Sequence, residues 1–308
     1  MSADAAVFLR GPRYVLGEFE VDHTAIANLP ARAEELRMVP DAALWGWGTV
    51  HRSERSLAEL AAETGAATLR AAGIEPGSVD ALVLCSTEVP GTSGEHGRFV
   101  RDVLGGIGLG DVAFFGLNFN RCVNLLVAID LATALVTARR FRRVLVITTD
   151  RMFDESGRMA GYALFSDGAA SCVLSAEPGP GGFQVVGCAS AQRTEELEQH
   201  NEINSELARE VNDALLTPLG MKPGDVAGLM HTNIFLPLLI MKEAQAGFAR
   251  EQLYPDNVTR VGHCFAADPL INLVDRAAAG HLRPDEHYLL ASSVPGVRMG
   301  ALLRTLAD

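Results

Sequence analysis

The sequence predicts an α/β fold made of two similar halves, because three segments of the first half recur in the second. The recurrences keep one order and nearly one offset, 147, 145 and 144 positions along the 308-residue chain. They pair Gly73–Leu84 with Gly220–His231, Ala128–Ala132 with Leu273–Ala277, and Arg143–Ile147 with His287–Ala291. One large offset indicates a duplicated unit, since solenoid repeats recur roughly every 20–50 residues. Duplication places equivalent loops of the two halves face to face.

The first half alternates helices with strands of buried type. Leu57–Ala72 has helical periodicity, whereas Ala81–Cys85 is a continuous apolar run suited to a buried strand. Val123–Arg139 is apolar almost all round, which is typical of a central helix. The remaining predicted elements are a short helix at Arg98–Leu104 and strands at Val112–Leu117, Arg143–Thr149 and Ala169–Ser175.

A linker rich in proline and glycine, Glu177–Gly182, separates the halves, so we place them at residues 1–177 and 178–308. Strands are predicted near Phe183–Ala189, Ala227–Met230, Val258–Val261, Tyr288–Ser292 and Ala301–Arg304, and helices near Asn204–Leu216, Leu238–Phe248 and Pro269–Ala279. Alternating strands and helices indicate α/β layers.

Composition bounds the location and the partners. The longest apolar stretch, Leu125–Val136, is interrupted by Asp130, and Met1–Ala5 lacks the basic region of a secretory signal. We therefore expect a cytoplasmic protein with no membrane partner. A net charge of −12 and a pI near 5.1 argue against nucleic acid. Five cysteines without a C-x-x-C pair argue against a metal site or a disulfide framework.

Cys122 is the candidate nucleophile. It lies between a predicted strand and the start of a predicted helix, where the helix dipole and free N–H groups favour a thiolate. Its own backbone N–H supplies a first oxyanion donor. The alternative is that Cys122 is a small buried side chain, as most free cysteines are.

Two histidines are candidates for the same site. His231 ends the predicted strand Ala227–Met230, and His263 lies in the loop that the duplication makes the counterpart of the Cys122 loop. Side chains at strand ends commonly face a site there. Taken alone, His231 favours a surface or loop-capping role, whereas three candidate residues at equivalent strand ends favour a shared site.

Six motifs, in order, carry a resemblance over essentially the whole length. They are Gly48–Arg52, Asn120–Cys122, Phe165–Ala170, His231–Asn233, Gly262–Ala267 and Gly296–Gly300. They resemble, in the same order, six motifs of β-ketoacyl-acyl-carrier-protein synthase III-like proteins of the thiolase superfamily. Those motifs are the early Gly-Ile-x-x-Arg, the nucleophile segment, Phe-Gly-Asp-Gly-Ala-Gly, His-Gln-Ala-Asn, Gly-Asn-Thr-Ser-Ala-Ala and the final Gly-Phe-x-x-Gly. The resemblance implies a five-layer αβαβα thiolase fold and a homodimer.

The resemblance also implies a two-step acyl transfer without a bound cofactor. Cys122 would take an acyl group from a thioester of coenzyme A or of the phosphopantetheine of an acyl-carrier protein. His231 and His263 would then polarise a malonyl-type thioester for decarboxylative condensation, in fatty-acid-like or polyketide metabolism. Asn233 and Gly296 would support the site. The family normally has asparagine where this chain has His263.

Four departures from the family keep two alternatives open. Pro295 stands where a glycine N–H is the second oxyanion donor, so the donor shifts to Gly296 or is lost. Val123 and Asn124 replace small residues after the nucleophile, the spacing from Cys122 to His231 is short, and Thr92–Gly94 replaces a phenylalanine that reaches the partner subunit. The alternatives are acyl transfer to a hydroxyl or amine, and a non-catalytic partner subunit.

One surface cluster could dock a carrier protein or the phosphates of coenzyme A. It consists of Arg139, Arg140, Arg142 and Arg143. The competing interpretation is compensation of a helix dipole on a solvated face, because the cluster follows a helix C-terminus.

Overall fold

Nine strands join in one mixed sheet, and helices cover both of its faces, within the part of the chain that the computed structural model describes, residues 6–89, 91–198 and 204–306. The strands are β1 Val7–Leu16, β2 Phe19–Asp22, β3 Thr49–Arg52, β4 Ala81–Cys85, β5 Ala113–Leu117, β6 Arg143–Asp150, β7 Gly168–Ser175, β8 Phe183–Gln192, β9 Gly228–Met230, β10 His287–Val294 and β11 Val297–Thr305. The helices are α1 Leu29–Glu35, α2 Ala42–Trp45, α3 Leu57–Ala72, α4 Ser93–Ile107, α5 Asn124–Thr137, α6 Ser205–Leu216, α7 Leu236–Gln245, α8 Asp256–Arg260 and α9 Asp268–Ala278. β2 and β3 pair separately.

The strand order repeats the duplication that the sequence predicts. The sheet runs β5-β4-β6-β7-β1-β8-β11-β10-β9, so each half places its strands in the same sequence outward from the centre. The halves meet where β1 pairs antiparallel with β8, with Val7 opposite Val185. Pairing is parallel for β4 with β5 and β6 and for β9 with β10, and antiparallel elsewhere.

The strands of the two halves lie on opposite sides of α5 and α9, so the sheet forms two layers and the helices complete five, as the resemblance implies. α5 and α9 contact strands of both halves and therefore form the middle layer, whereas α3 with α4 and α6 with α7 cover the outer faces. The middle position explains the composition of α5, whose Leu125, Leu126 and Ile129 are buried against both strand groups. Each central helix begins beside the other half, which brings their preceding turns together.

One predicted element is wrong. Val258–Val261 was expected to be a strand, but the chain forms helix α8 over Asp256–Arg260. Asn257 stabilises the helical turn because its carbonyl accepts hydrogen bonds from the N–H groups of Val261 and Gly262. The second half therefore has no counterpart of β5 among the described residues. No helix in the described ranges is long and apolar enough to cross a membrane.

Candidate active site

A repeated turn positions the candidate nucleophile. A short 3-10 turn, Arg121–Val123, leads into α5, and Phe265–Ala267 leads into α9 at an offset of 144. Both turns open on a residue in the left-handed region, with φ of 51° at Arg121 and 50° at Phe265. This conformation is uncommon for residues with a side chain, so its occurrence in both halves is a property of the duplicated fold. Only the first turn carries a thiol, at Cys122.

Cys122 lies in hydrogen-bond contact with the second half of the chain. Its Sγ is 3.3 Å from Nε2 of His263, and both side chains are buried. The backbone N–H of His263 donates to the carbonyl of Leu164, and this bond fixes the backbone that carries the imidazole. Sequence reasoning therefore predicted correctly that the loops carrying Cys122 and His263 meet.

A buried carboxylate lies behind His263. Oδ2 of Asp268 is 2.5 Å from Nδ1 of His263, and Asp268 is fully buried. The backbone N–H groups of Asn233 and Cys264 donate to the same carboxylate at 2.7 Å each. These bonds hold the carboxylate and hence the tautomer and orientation of the imidazole. Sequence reasoning missed Asp268, although its position at a helix start, five residues after His263, was a usable signal.

The two partners of His263 raise its pKa. Burial alone would lower the pKa of His263, but the charges of Asp268 and Cys122 and hydrogen bonds to both raise it to about 10. His263 is therefore protonated at neutral pH, and its imidazolium places a positive charge 3.3 Å from the sulfur. The arrangement is a sulfur in contact with an imidazolium, which is backed by a carboxylate.

His231 does not join this group. It is fully buried, with Nδ1 3.0 Å from the carbonyl of Thr232 and Nε2 accepting from the N–H of Tyr254 at 3.3 Å. Burial, only partly opposed by the bond to Thr232, lowers the pKa of His231. The ring is therefore neutral and bound to backbone at both nitrogens. The structure brings one of the two expected histidines to the sulfur and places the other away from the cavity.

A small cavity opens onto the sulfur. Its volume is about 120 Å³, and its lining contains no carboxylate. The residues that line it are Thr87, Arg121, Cys122, Tyr162, Phe165, Thr232, Ile234, His263, Phe265, Ser293, Val294 and Pro295. Apolar and polar side chains both line the cavity, which suits a site that binds and orients a short organic group.

The residues expected to support the site have different positions. Asn233 supports it through Asp268, and its amide also donates to the carbonyl of Gly262 at 3.0 Å. Pro295 lines the cavity, and Gly296, with φ of 73°, completes the tight turn from β10 to β11 outside the lining. The Pro295 carbonyl accepts a hydrogen bond from Arg121 at 3.1 Å.

The arginine cluster lies far from the cavity. It follows the C-terminus of α5, whereas Cys122 precedes its N-terminus, about 20 Å away along the helix. Arg142 and Arg143 both pair with Glu177, and Arg140 stacks on Phe141. A docking role for this cluster stays a prediction.

The other thiols differ from Cys122. Cys85, Cys172, Cys188 and Cys264 have no imidazole partner in the described ranges, and burial raises the pKa of each. No group of three or more His, Cys, Asp or Glu side chains among those residues could hold a metal ion. Cys122 is therefore the thiol whose surroundings suit nucleophilic chemistry.

A second, larger cavity of about 700 Å³ adjoins the same segment of chain. Ile234 lines the small cavity and Leu236 lines the large one. The large cavity contains Trp47 and Arg250, together with residues of α8. It is wide enough for a carrier of the reacting group.

Comparisons with known proteins agree with the motifs. A family model for 3-oxoacyl-[acyl-carrier-protein] synthase III matches residues 118–191, a segment that contains Cys122. No curated protein matches the chain. Similar solved structures include the acyltransferase ChlB3, with 19% identity, a TM-score of 0.81 and 98% of both chains covered.

Two further structures show the same fold. Synthase III of Aquifex aeolicus has 16% identity and a TM-score of 0.79 over 97% of this chain and 99% of that one. OleA of Xanthomonas campestris has 16% identity and a TM-score of 0.82 over 98% of both. Residues 118–191 therefore match the 3-oxoacyl-[acyl-carrier-protein] synthase III model, and the whole described chain has the fold of these structures, as its motifs predict.

Proposed function

We propose that the protein transfers an acyl group from a thioester to a hydroxyl or amine acceptor through an acyl-thioester on Cys122. The observation that carries the proposal is the contact chain from Cys122 to His263 to Asp268, with 3.3 Å and 2.5 Å between successive groups. A nucleophile, a base and a carboxylate that orients the base form the triad used for acyl transfer on unrelated folds.

In the first step the Cys122 thiolate attacks the thioester carbonyl. A new bond forms between Sγ and the carbonyl carbon, and the bond to the donor sulfur breaks. The donor leaves as a thiolate and takes the proton of the His263 imidazolium, so that His263 becomes neutral. The backbone N–H of Cys122 donates to the developing oxyanion, as amides at a helix N-terminus commonly do.

In the second step neutral His263 acts as the base. It removes the proton of the acceptor hydroxyl or amine, the acceptor attacks the acyl carbon, and Cys122 leaves as a thiolate beside the restored imidazolium. Asp268 stabilises the charge on His263 without taking the proton, because its oxygens already accept three hydrogen bonds.

The position of His231 favours oxygen or nitrogen over carbon as the acceptor atom. The resemblance implies that two histidines, His231 and His263, donate hydrogen bonds to the malonyl-type thioester during decarboxylative condensation. Both ring nitrogens of His231, however, are bound to backbone. Transfer to a hydroxyl or amine needs one base, which His263 supplies. The similar ChlB3 structure is of an acyltransferase.

Decarboxylative condensation with a malonyl-type thioester is the second candidate. The matched family model and the Aquifex aeolicus neighbour are both 3-oxoacyl synthases. A non-catalytic subunit is disfavoured, because a subunit kept only for pairing has no use for a buried cysteine aligned with a histidine and a carboxylate.

The donor would be an acyl-CoA or an acyl-carrier protein. The large cavity offers the space for its pantetheine or nucleotide part, with Trp47 as an aromatic wall and Arg250 as a cation near the anionic groups. The thioester would then reach Cys122 past the segment from Ile234 to Leu236, which borders both cavities.

The proposal includes a homodimer formed through β5. This strand is an edge of the sheet. Phe114 on the strand is 53% exposed, and Phe119, two residues after its end, is 95% exposed. An exposed edge strand with apolar side chains favours pairing with a second strand. Sedimentation should give a dimer that Phe119→Asp weakens, whereas a monomer at micromolar concentration contradicts this part.

The acceptor is identified by a chase experiment. Acyl-enzyme formed from a labelled acyl-CoA is separated from free thioester and divided among alcohols, amines and malonyl-CoA. We expect ester or amide product without release of carbon dioxide. Carbon dioxide release with a 3-oxoacyl product would establish condensation instead. Cys122→Ala should yield no product, and Cys188→Ala, which removes a thiol outside the site, is the matched control.

A further inference from the structure

Arg121 introduces a permanent positive charge into the small cavity. Its left-handed backbone, next to Cys122, aims the side chain at the cavity rather than along the helix that follows. The guanidinium Nη2 donates to the Pro295 carbonyl at 3.1 Å, which holds the group against the turn between β10 and β11. The cation is therefore placed on the wall that also carries the nucleophile.

This guanidinium has no anionic partner in the part of the chain that the structure describes. The carbonyl of Pro295 is neutral, the cavity lining contains no carboxylate, and Arg121 forms no ion pair with a described residue. The side chain is half-buried, so its charge is only partly hydrated. An arginine held in this way retains N–H groups in a planar fork, the geometry that binds carboxylates with two parallel hydrogen bonds.

We propose that Arg121 binds a carboxylate carried by the acyl group itself, so that the preferred donors are monothioesters of short dicarboxylic acids such as malonyl or succinyl. The inference deepens the proposed function and depends on it. A volume of about 120 Å³ corresponds to roughly four water molecules, which suits a chain of this length.

Binding in this form also protects the carboxylate from loss. Acylation forms the bond from Sγ of Cys122 to the thioester carbon and expels the donor thiol, and the distal carboxylate takes no part. Decarboxylation would break the carbon–carbon bond and leave its electron pair on carbon. A salt bridge to Arg121 stabilises the carboxylate and therefore opposes that step. The acyl group is then transferred to the acceptor with its carboxylate intact.

The test measures the acylation step alone, without an acceptor, by intact mass in a single turnover. Malonyl-CoA is compared with isovaleryl-CoA, in which two methyl groups replace the carboxylate oxygens, and succinyl-CoA with 4-methylpentanoyl-CoA. We expect the wild type to prefer the carboxylate member of each pair by at least about 10-fold. Arg121→Met should lower that preference by about 30-fold. Arg70→Met, which removes an exposed arginine on α3, should leave it unchanged.

Each other outcome overturns a different statement. Equal loading of both members by the wild type refutes the carboxylate inference even if Arg121→Met does not fold, and it leaves acyl transfer standing. An equal loss for both members in Arg121→Met makes Arg121 a donor to the thioester carbonyl and refutes the inference. A malonyl donor that leaves an acetyl adduct refutes it and favours condensation. Absence of any adduct refutes the proposed function itself.

Discussion

Replacing Asp268 with asparagine should uncouple His263 from Cys122. The substitution keeps the size of the side chain but removes the charge 2.5 Å from Nδ1 of His263. With Asp268 and Cys122 beside it, the pKa of His263 rises from 6.5 to about 10, which corresponds to on the order of 5 kcal/mol in favour of the imidazolium. If Asp268 supplies about half of this free energy, its loss lowers the reactivity of the Cys122 sulfur by about 100-fold at neutral pH.

Alkylation of Cys122 by iodoacetamide, followed by mass spectrometry from pH 6 to pH 9, measures this effect. The wild-type rate should be nearly flat, whereas the Asp268→Asn rate should be about 100-fold lower at pH 7 and rise towards pH 9, as for an unassisted thiol. Asp275→Asn, on the same helix but bonded to Tyr14 and Arg260, is the matched control. A wild-type rate and profile in folded Asp268→Asn would refute the reasoning.

The same charge pair makes stability depend on pH. The folded-state pKa of His263 lies above its unfolded value, so the imidazolium contributes stability that is fully present below about pH 6.5. That contribution is lost as the pH rises through about 10. The melting temperature of the wild type should therefore fall across this window, and that of Asp268→Asn should fall less.

Three further variants test other parts of the structure. His231→Gln should lower the melting temperature but keep the rate of Cys122 acylation within about 10-fold of the wild type, because the ring bonds only backbone. Complete loss of acylation in a correctly folded variant would show that His231 takes part in the reaction. Burial raises the pKa of Asp150 to about 7 despite a hydrogen bond from the N–H of Thr87. Ionisation of Asp150 therefore lowers the stability of the fold as the pH rises from about 4 through 7. Asp150→Asn should raise the melting temperature more at pH 8 than at pH 5. Glu243→Gln should lower the free energy of unfolding by about 3–5 kcal/mol in urea titrations, since it leaves the buried Arg298 guanidinium unpaired, and a change below about 1 kcal/mol would contradict this.

The repeated segments and buried runs predicted most of the layers, and the exceptions have local causes. β1 was not predicted, because Gly11 and Pro12 interrupt its apolar alternation. In the structure a break in register between Arg10 and Arg13 accommodates both residues, and proline in a bulge needs no ladder hydrogen bond. The segment Val258–Val261 contains three β-branched residues, but their preference for strands is weaker than the hydrogen bonds made here by Asn257.

The candidate site could be predicted only as far as strand ends and equivalent loops indicate it. Those features predicted that the loops of Cys122 and His263 meet, since both turns occur at the same point of the repeat, and the two side chains are 3.3 Å apart. They could not show that His231 turns its ring towards the backbone of Thr232 and Tyr254, because that depends on tertiary contacts. Asp268 was missed because a carboxylate at a helix start usually serves only as a cap.

The most direct test of the acyl-enzyme is intact-mass analysis with peptide mapping after incubation with a panel of acyl-CoA thioesters. The wild type should gain one acyl mass located on Cys122, and His263→Ala should gain it far more slowly. Cys122→Ala should gain none. An acyl adduct that persists in Cys122→Ala, or a wild type that stays unmodified by every thioester while correctly folded, would contradict the account.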